Sequence, residues 1–104
     1  ATRQGRVYLS HNGEAPTMVA YGRDPRWHPN RPIIIFAGAR MVGNKSVNYD
    51  LRVADEDGVA GRFLTATQFS DERWPQWQSS TDRIIYTLAN TTDVYTLDMQ
   101  DTQP

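Results

Sequence analysis

All five positions from 33 to 37 are apolar (Ile-Ile-Ile-Phe-Ala), the longest such run in the chain, while the segments around it mostly alternate. A run with no polar face predicts a strand buried on both sides, and three adjacent isoleucines, stiff at χ1, favour strand over helix. Pro32 fits at the start of that strand, where a missing N–H breaks no ladder bond. Val47, Tyr49, Leu51 and Val53 alternate with Asn48, Asp50 and Arg52, the pattern of a strand with one wet face. Residues 6–10 alternate around Val7 and Leu9. Residues 16–21 are their returning strand across His11-Asn12-Gly13-Glu14, because Asn-Gly between apolar runs marks a hairpin. Two more hairpins are expected. One crosses 55–58 into a strand over 62–69, and the other joins 83–89 to 94–99 across 90–93.

Two stretches depart from the alternation. Residues 22–30 hold Pro25 and Pro29 and lead into Pro32. Each proline pushes the residue before it out of the helical region, so an irregular loop is expected. Residues 70–81 form a second irregular segment, with one helical turn expected before Pro75. No window of eleven or more residues repeats apolar positions at helical spacing, and the chain reads as free of internal repeats and low-complexity tracts. Seven to eight short strands separated by turn residues predict an all-β chain. Its fold class is a two-sheet antiparallel sandwich, jelly-roll or immunoglobulin-like, whose strand order the sequence leaves open.

Composition narrows the class. A length of 104 residues suits a single domain over 1–104 that builds its core without staples and ends in a short polar C-terminal tail. With no cysteine, disulfides and thiolate metal sites are excluded. No apolar stretch nears the roughly 18–20 residues of a membrane span, and no signal-peptide core is expected in this chain. A net charge of −1 argues against binding nucleic acid through bulk positive charge. The distribution is less even. Residues 1–45 carry seven Lys or Arg against two acids, whereas residues 46–104 carry four against ten. Interleaved strands would neutralise that asymmetry across neighbours. Left at the surface, it would let copies meet head to tail.

Chemical motifs are sparse. His11 and His28 are the only histidines, too few for a metal centre without cysteine, so neither a metal nor a cofactor is expected. Asp55-Glu56-Asp57-Gly58 resembles part of a calcium loop, but aligning its glycine puts Val53 at the first ligand position, which leaves a hairpin turn. Neither a nucleophile elbow nor a phosphate loop is present, so no catalytic residue is assigned. The Asn44 and Asn90 glycosylation sequons are close to chance for this composition.

The tryptophans carry the strongest signal. Arg23, Arg26 and Arg31 surround Trp27 and His28, while Trp74 and Trp77 flank Pro75 and would project to one side of a polyproline-like segment. Trp and Arg are the residues most enriched at binding hot spots. The candidate binding surface is therefore Arg23, Arg26, Trp27, His28, Arg31, Trp74 and Trp77. The bland alternative is that these rings cap the open ends of the sandwich.

The expected role is a non-enzymatic module that docks on a protein partner in a larger assembly or on further copies of itself. Virion decoration and tail proteins are the analogous class, so the expected setting is soluble or on a virion. A polysaccharide stacked on the tryptophans is the alternative ligand. A small hydrolase of ribonuclease type, with His28 as acid or base, is the third reading. Neither nucleic acid nor a membrane is an expected partner.

Overall fold

In the computed structural model of the chain, residues 5–10, 13–43, 45–65, 71–78, 81–89, 91 and 93–99 are described, with 41, 42, 45–47 and 62 described by their backbone alone. The strands are β1 (Arg6–Leu9), β2 (Thr17–Trp27), β3 (Ile33–Val42), β4 (Lys45–Asp55), β5 (Ala60–Phe63), β6 (Glu72–Trp77), β7 (Arg83–Leu88) and β8 (Val94–Asp98). They form two antiparallel sheets, of order β1-β2-β3-β4-β5 and β6-β7-β8. The two-sheet sandwich of seven to eight strands expected from the alternation is present, with eight strands among the described residues. Its strand order is sequential: every hydrogen-bonded pair joins neighbours in the chain. Each sheet is thus a meander, a simpler order than the Greek-key crossovers of a jelly roll or an immunoglobulin domain. Among the described residues no helix is long and apolar enough to cross a membrane.

β3 lies at the centre of the five-stranded sheet, and its apolar run is buried on both faces, with Ile34 at 3% exposure and Ile35, Phe36 and Ala37 at 0%. Ile34 and Phe36 pack with Val7, Leu9 and Ala54 on one side. Ile35 packs with Leu51, Leu64 and Ile84 on the other, where the three-stranded sheet supplies Ile84. A flat sheet would not bring β1 over β3. Here the five-stranded sheet curls, and Leu9 and Val19 reach the Gly58 turn beyond β4. Gly22 makes the tightest crossing. A Cβ there would sit 2.5 Å from the Ala37 carbonyl oxygen and 2.9 Å from the Phe36 ring, so only glycine lets β2 approach β3 this closely.

Several boundaries differ from the sequence expectation. β2 runs on to Trp27, through most of the segment expected to be loop, and β6 occupies the second irregular segment, where a helical turn was expected. β5 covers only 60–63; residues 66–69 of the expected strand lie outside the described residues, as do His11, Asn12, Asn44 and Asn90. The charge asymmetry between the chain halves is partly neutralised across strands. Arg31 meets Asp82 at 2.8 Å and Arg40 meets Asp50 at 2.7 Å.

On β7 the Tyr86 ring stacks against Tyr95 of β8 at 5.7 Å. Burial pushes its phenol above the ordinary value of 10.0, and the nearby Glu72 and Tyr95 add to the shift. A raised folded-state value means that the neutral phenol favours the fold. This contribution is complete below the ordinary tyrosine range and disappears as pH rises through the folded value. Tyr86→Phe is therefore expected to reduce the loss of stability between about pH 8 and about pH 11, read from urea midpoints at the two values.

Candidate functional site

The two proline-bearing segments that interrupt the alternation have the same design. Arg23-Asp24-Pro25-Arg26-Trp27 and Arg73-Trp74-Pro75-Gln76-Trp77 share Arg-x-Pro-x-Trp, and each is followed at the same distance by Ile-Ile-aromatic, Ile34 to Phe36 and Ile84 to Tyr86. Between residues 23–36 and 73–86, five of fourteen positions are identical. The chain does contain an internal repeat, contrary to the sequence reading, and the backbone reproduces it.

In the first copy Arg23 pairs with Ala37 and Arg26 with Ile35, so Asp24 and Pro25 together oppose Phe36. In the second copy Arg73 pairs with Thr87 and Gln76 with Ile85, so Trp74 and Pro75 oppose Tyr86. Each is a β-bulge, and the bulge explains why proline sits inside a strand: the extra residues have no ladder bond to lose. Beyond each bulge the hairpin closes alike, with the His28 N–H donating to the Ile33 carbonyl at 2.8 Å and the Gln78 N–H to the Arg83 carbonyl at 2.9 Å.

Asp24 and Trp74, each just before its proline, take left-handed φ values of 58° and 53°. Such conformations cost on the order of 1–3 kcal/mol for a non-glycine residue and persist where the surroundings enforce them. The enforcing contacts run from bulge to bulge. The Asp24 carboxylate accepts from Arg73 Nε at 3.0 Å and from the Trp74 N–H at 3.4 Å. Trp77 Nε1–H donates to the Arg26 carbonyl at 3.2 Å, and its ring meets His28 edge-on at 4.5 Å.

His28 is 5% exposed. Its Nδ1 accepts the Asn30 N–H at 3.0 Å, which places the ring proton on Nε2, directed at the Thr81 carbonyl and at Asp82 Oδ1, each 3.2 Å away. Asp82 also accepts from Arg31 Nη1 at 2.8 Å. Both imidazole nitrogens are thus engaged by protein groups.

This arrangement sorts the candidate residues. His28, Arg31 and Trp77 act as fasteners between the loops that follow the two bulges. Trp27 and Trp74 face outward, 51% and 48% exposed, with Arg23 and Arg26 also exposed beside them. The polyproline-like reading of 74–77 gives way to the bulged strand: the Trp74 ring lies under the Arg73 guanidinium at 4.5 Å, while Trp77 turns to His28. Asp24, Arg73 and Asp82 hold the surface and were not singled out in sequence. Arg73 was legible only through the repeated motif, and nothing local marks Asp24 or Asp82.

Behind the second bulge, Gln78, Thr81, Asp82, Arg83 and Asp98 line a polar cleft of about 400 Å³. No group of three or more potential metal-ligating side chains occurs among the described residues. No known family model, curated protein or solved structure matches the chain.

Proposed function

We propose that the chain is a non-enzymatic interaction module that docks on a protein partner through the outer side of the paired bulges. One observation carries the reading: Trp27 and Trp74 are half exposed on a backbone that the Asp24–Arg73 and Trp77–Arg26 contacts hold in place. A rigid aromatic loses little entropy on docking, and neighbouring arginines supply directional bonds at the rim. With both ring nitrogens of His28 engaged, the geometry favours this reading over the hydrolase. Small virion decoration and tail proteins remain the analogy we propose for the setting.

Trp27→Ala and Trp74→Ala are each expected to weaken partner binding by about tenfold or more while leaving the melting temperature nearly unchanged. Sedimentation of the native source is expected to carry the chain with a larger particle. A chain that sediments alone, or a partner that binds the double tryptophan variant normally, overturns the proposal.

The polar cleft favours a second reading, a saccharide held by Gln78, Thr81, Asp82 and Arg83. Affinity electrophoresis against a panel of polysaccharides tests it, and an unretarded wild type removes it.

A further inference from the structure

We propose, on the basis of that docking reading, that the partner segment is acidic: a short run of Asp or Glu with one aliphatic residue. Its carboxylates pair with Arg23 and Arg26, and its aliphatic side chain covers Trp74. The Asp24–Pro25 bulge gathers these three side chains. Trp74 donates its N–H to the Asp24 carboxylate at 3.4 Å, and Arg23 Nε lies 3.7 Å from the other oxygen of that carboxylate. Arg26 Nη1 donates to the Pro25 carbonyl at 2.9 Å. Arg23 and Arg26 leave the same face of β2, because their ladder partners Ala37 and Ile35 are two residues apart on β3.

Charge selects the occupant. Arg73 is already committed, with its Nε on Asp24 at 3.0 Å and its side chain 12% exposed. Arg23 is not: its 3.7 Å contact exceeds hydrogen-bond length, and its side chain is 47% exposed. Arg26 is exposed and meets no carboxylate among the described residues. A guanidinium carries five N–H donors in a fork that fits a carboxylate two at a time, so both arginines retain donors for a partner. The acids nearest in the chain do not cancel them. Glu72 is buried, Asp82 accepts from Arg31 and faces His28, and Asp71 accepts the Tyr49 N–H at 2.9 Å. Even with Asp71 counted beside Asp24, Arg23, Arg26 and Arg73 outnumber the carboxylates, on a chain whose net charge is −1.

The tryptophan favours the same partner. One face of Trp74 is taken by the Arg73 guanidinium, 4.5 Å from the ring centre, while the residue remains 48% exposed. A cation brought by the partner would be repelled by Arg73 across the ring, whereas an aliphatic side chain meets no such cost. A nucleic-acid strand brings a phosphate at every nucleotide and binds along a row of cations. Two open arginines at a single bulge suit a short acidic peptide instead.

Fluorescence anisotropy with labelled probes tests this. The acidic probe is the peptide Gly-Asp-Glu-Leu-Asp-Glu-Gly, and the controls are Gly-Lys-Lys-Leu-Lys-Lys-Gly and hexathymidylate. The acidic probe is expected to bind in low salt and to weaken as salt rises, with both controls weaker by about tenfold or more. Arg26→Glu is expected to lower its affinity by about tenfold or more without changing the melt, since Arg26 is exposed and bonds only its neighbour's carbonyl. Arg23→Gln, which removes the charge and keeps a donor, is expected to cost about threefold. The proposal is overturned by an acidic probe that fails to bind the folded chain, by equal binding to Arg26→Glu, or by a control that binds as tightly. The same variant separates it from the docking reading. If the larger particle still binds Arg26→Glu but releases the double tryptophan variant, docking holds and the acidic partner is wrong.

Discussion

Phe36→Ala is expected to lower the free energy of unfolding by about 3–5 kcal/mol, the range for removing a buried aromatic ring whose site cannot collapse. The ring is fully buried and packs with Val7, Leu9, Ile34 and Ala54 inside the curl of the five-stranded sheet. Its backbone lies opposite the Asp24–Pro25 bulge, and the bulge is clamped to β6 through Arg73. The walls therefore cannot close on the space left behind. Cross-strand neighbours provide the control. Trp27 pairs with Ile34 in the ladder, yet Ile34 is 3% exposed and Trp27 51%. Ile34→Ala is expected to cost about 2–5 kcal/mol, whereas Trp27→Ala stays within about 1 kcal/mol. Urea unfolding with matched slopes measures all three. If Trp27→Ala is as damaging as Ile34→Ala, Trp27 belongs to the core and the tryptophan surface is wrongly placed.

Asp50→Ala is expected to cost about 3 kcal/mol, the low end for breaking a buried ion pair because Arg40 keeps about a third of its side chain in water. Asp50 is fully buried and accepts from Arg40 Nε at 2.7 Å. The Arg40 guanidinium lies 3.9 Å from the Phe63 ring centre, and that of Arg52 lies 4.7 Å from the same centre. Burial, together with the charge of Arg40, holds the Arg52 pKa below its ordinary value. Without the carboxylate, two guanidinium groups share one ring, and only the Thr65 and Gly61 carbonyls, which carry no charge, accept from them at 2.9 and 2.8 Å. Gly38, opposite Asp50, makes room for the cluster: a Cβ there would lie 3.0 Å from Phe63 and 3.1 Å from the Arg52 side chain. Replacing both partners, Arg40→Met with Asp50→Leu, is expected to recover most of the loss, since an apolar pair has no desolvation cost. A double-mutant cycle measures the coupling, and an additive result removes the pairing argument.

The residues that were legible in sequence and those that were not differ in how far away their partners lie. The twice-buried strand at 33–37 and the alternation at 47–53 follow from side chains that flip sides at each residue, a rule that needs no distant information. Prolines 25 and 75 read as loop because proline lacks the N–H that a ladder requires. Whether that N–H is required depends on the opposite strand, and at both positions the bulge removes the need. The repeat is obscured for the same reason, because its three invariant residues fall in segments whose composition is that of a loop. Among the candidate site residues, Trp27 and Trp74 are half exposed, which the sequence left open. The burial of His28 and the half-burial of Trp77 depend on Asp82, Thr81 and the Arg26 carbonyl, which lie about fifty residues away along the chain.

By itself the sequence determined that this chain is all-β, where most of its strands run, and that residues 33–37 form the centre of the core. Alternation, β-branching and turn residues act over two to four positions, so that much is local. Only the tertiary structure decided that each sheet is a meander, that two Arg-x-Pro-x-Trp bulges lock together, and which aromatic rings remain in water. Exposure and ion pairing are set by whichever strand arrives opposite, and no local pattern in the chain records that.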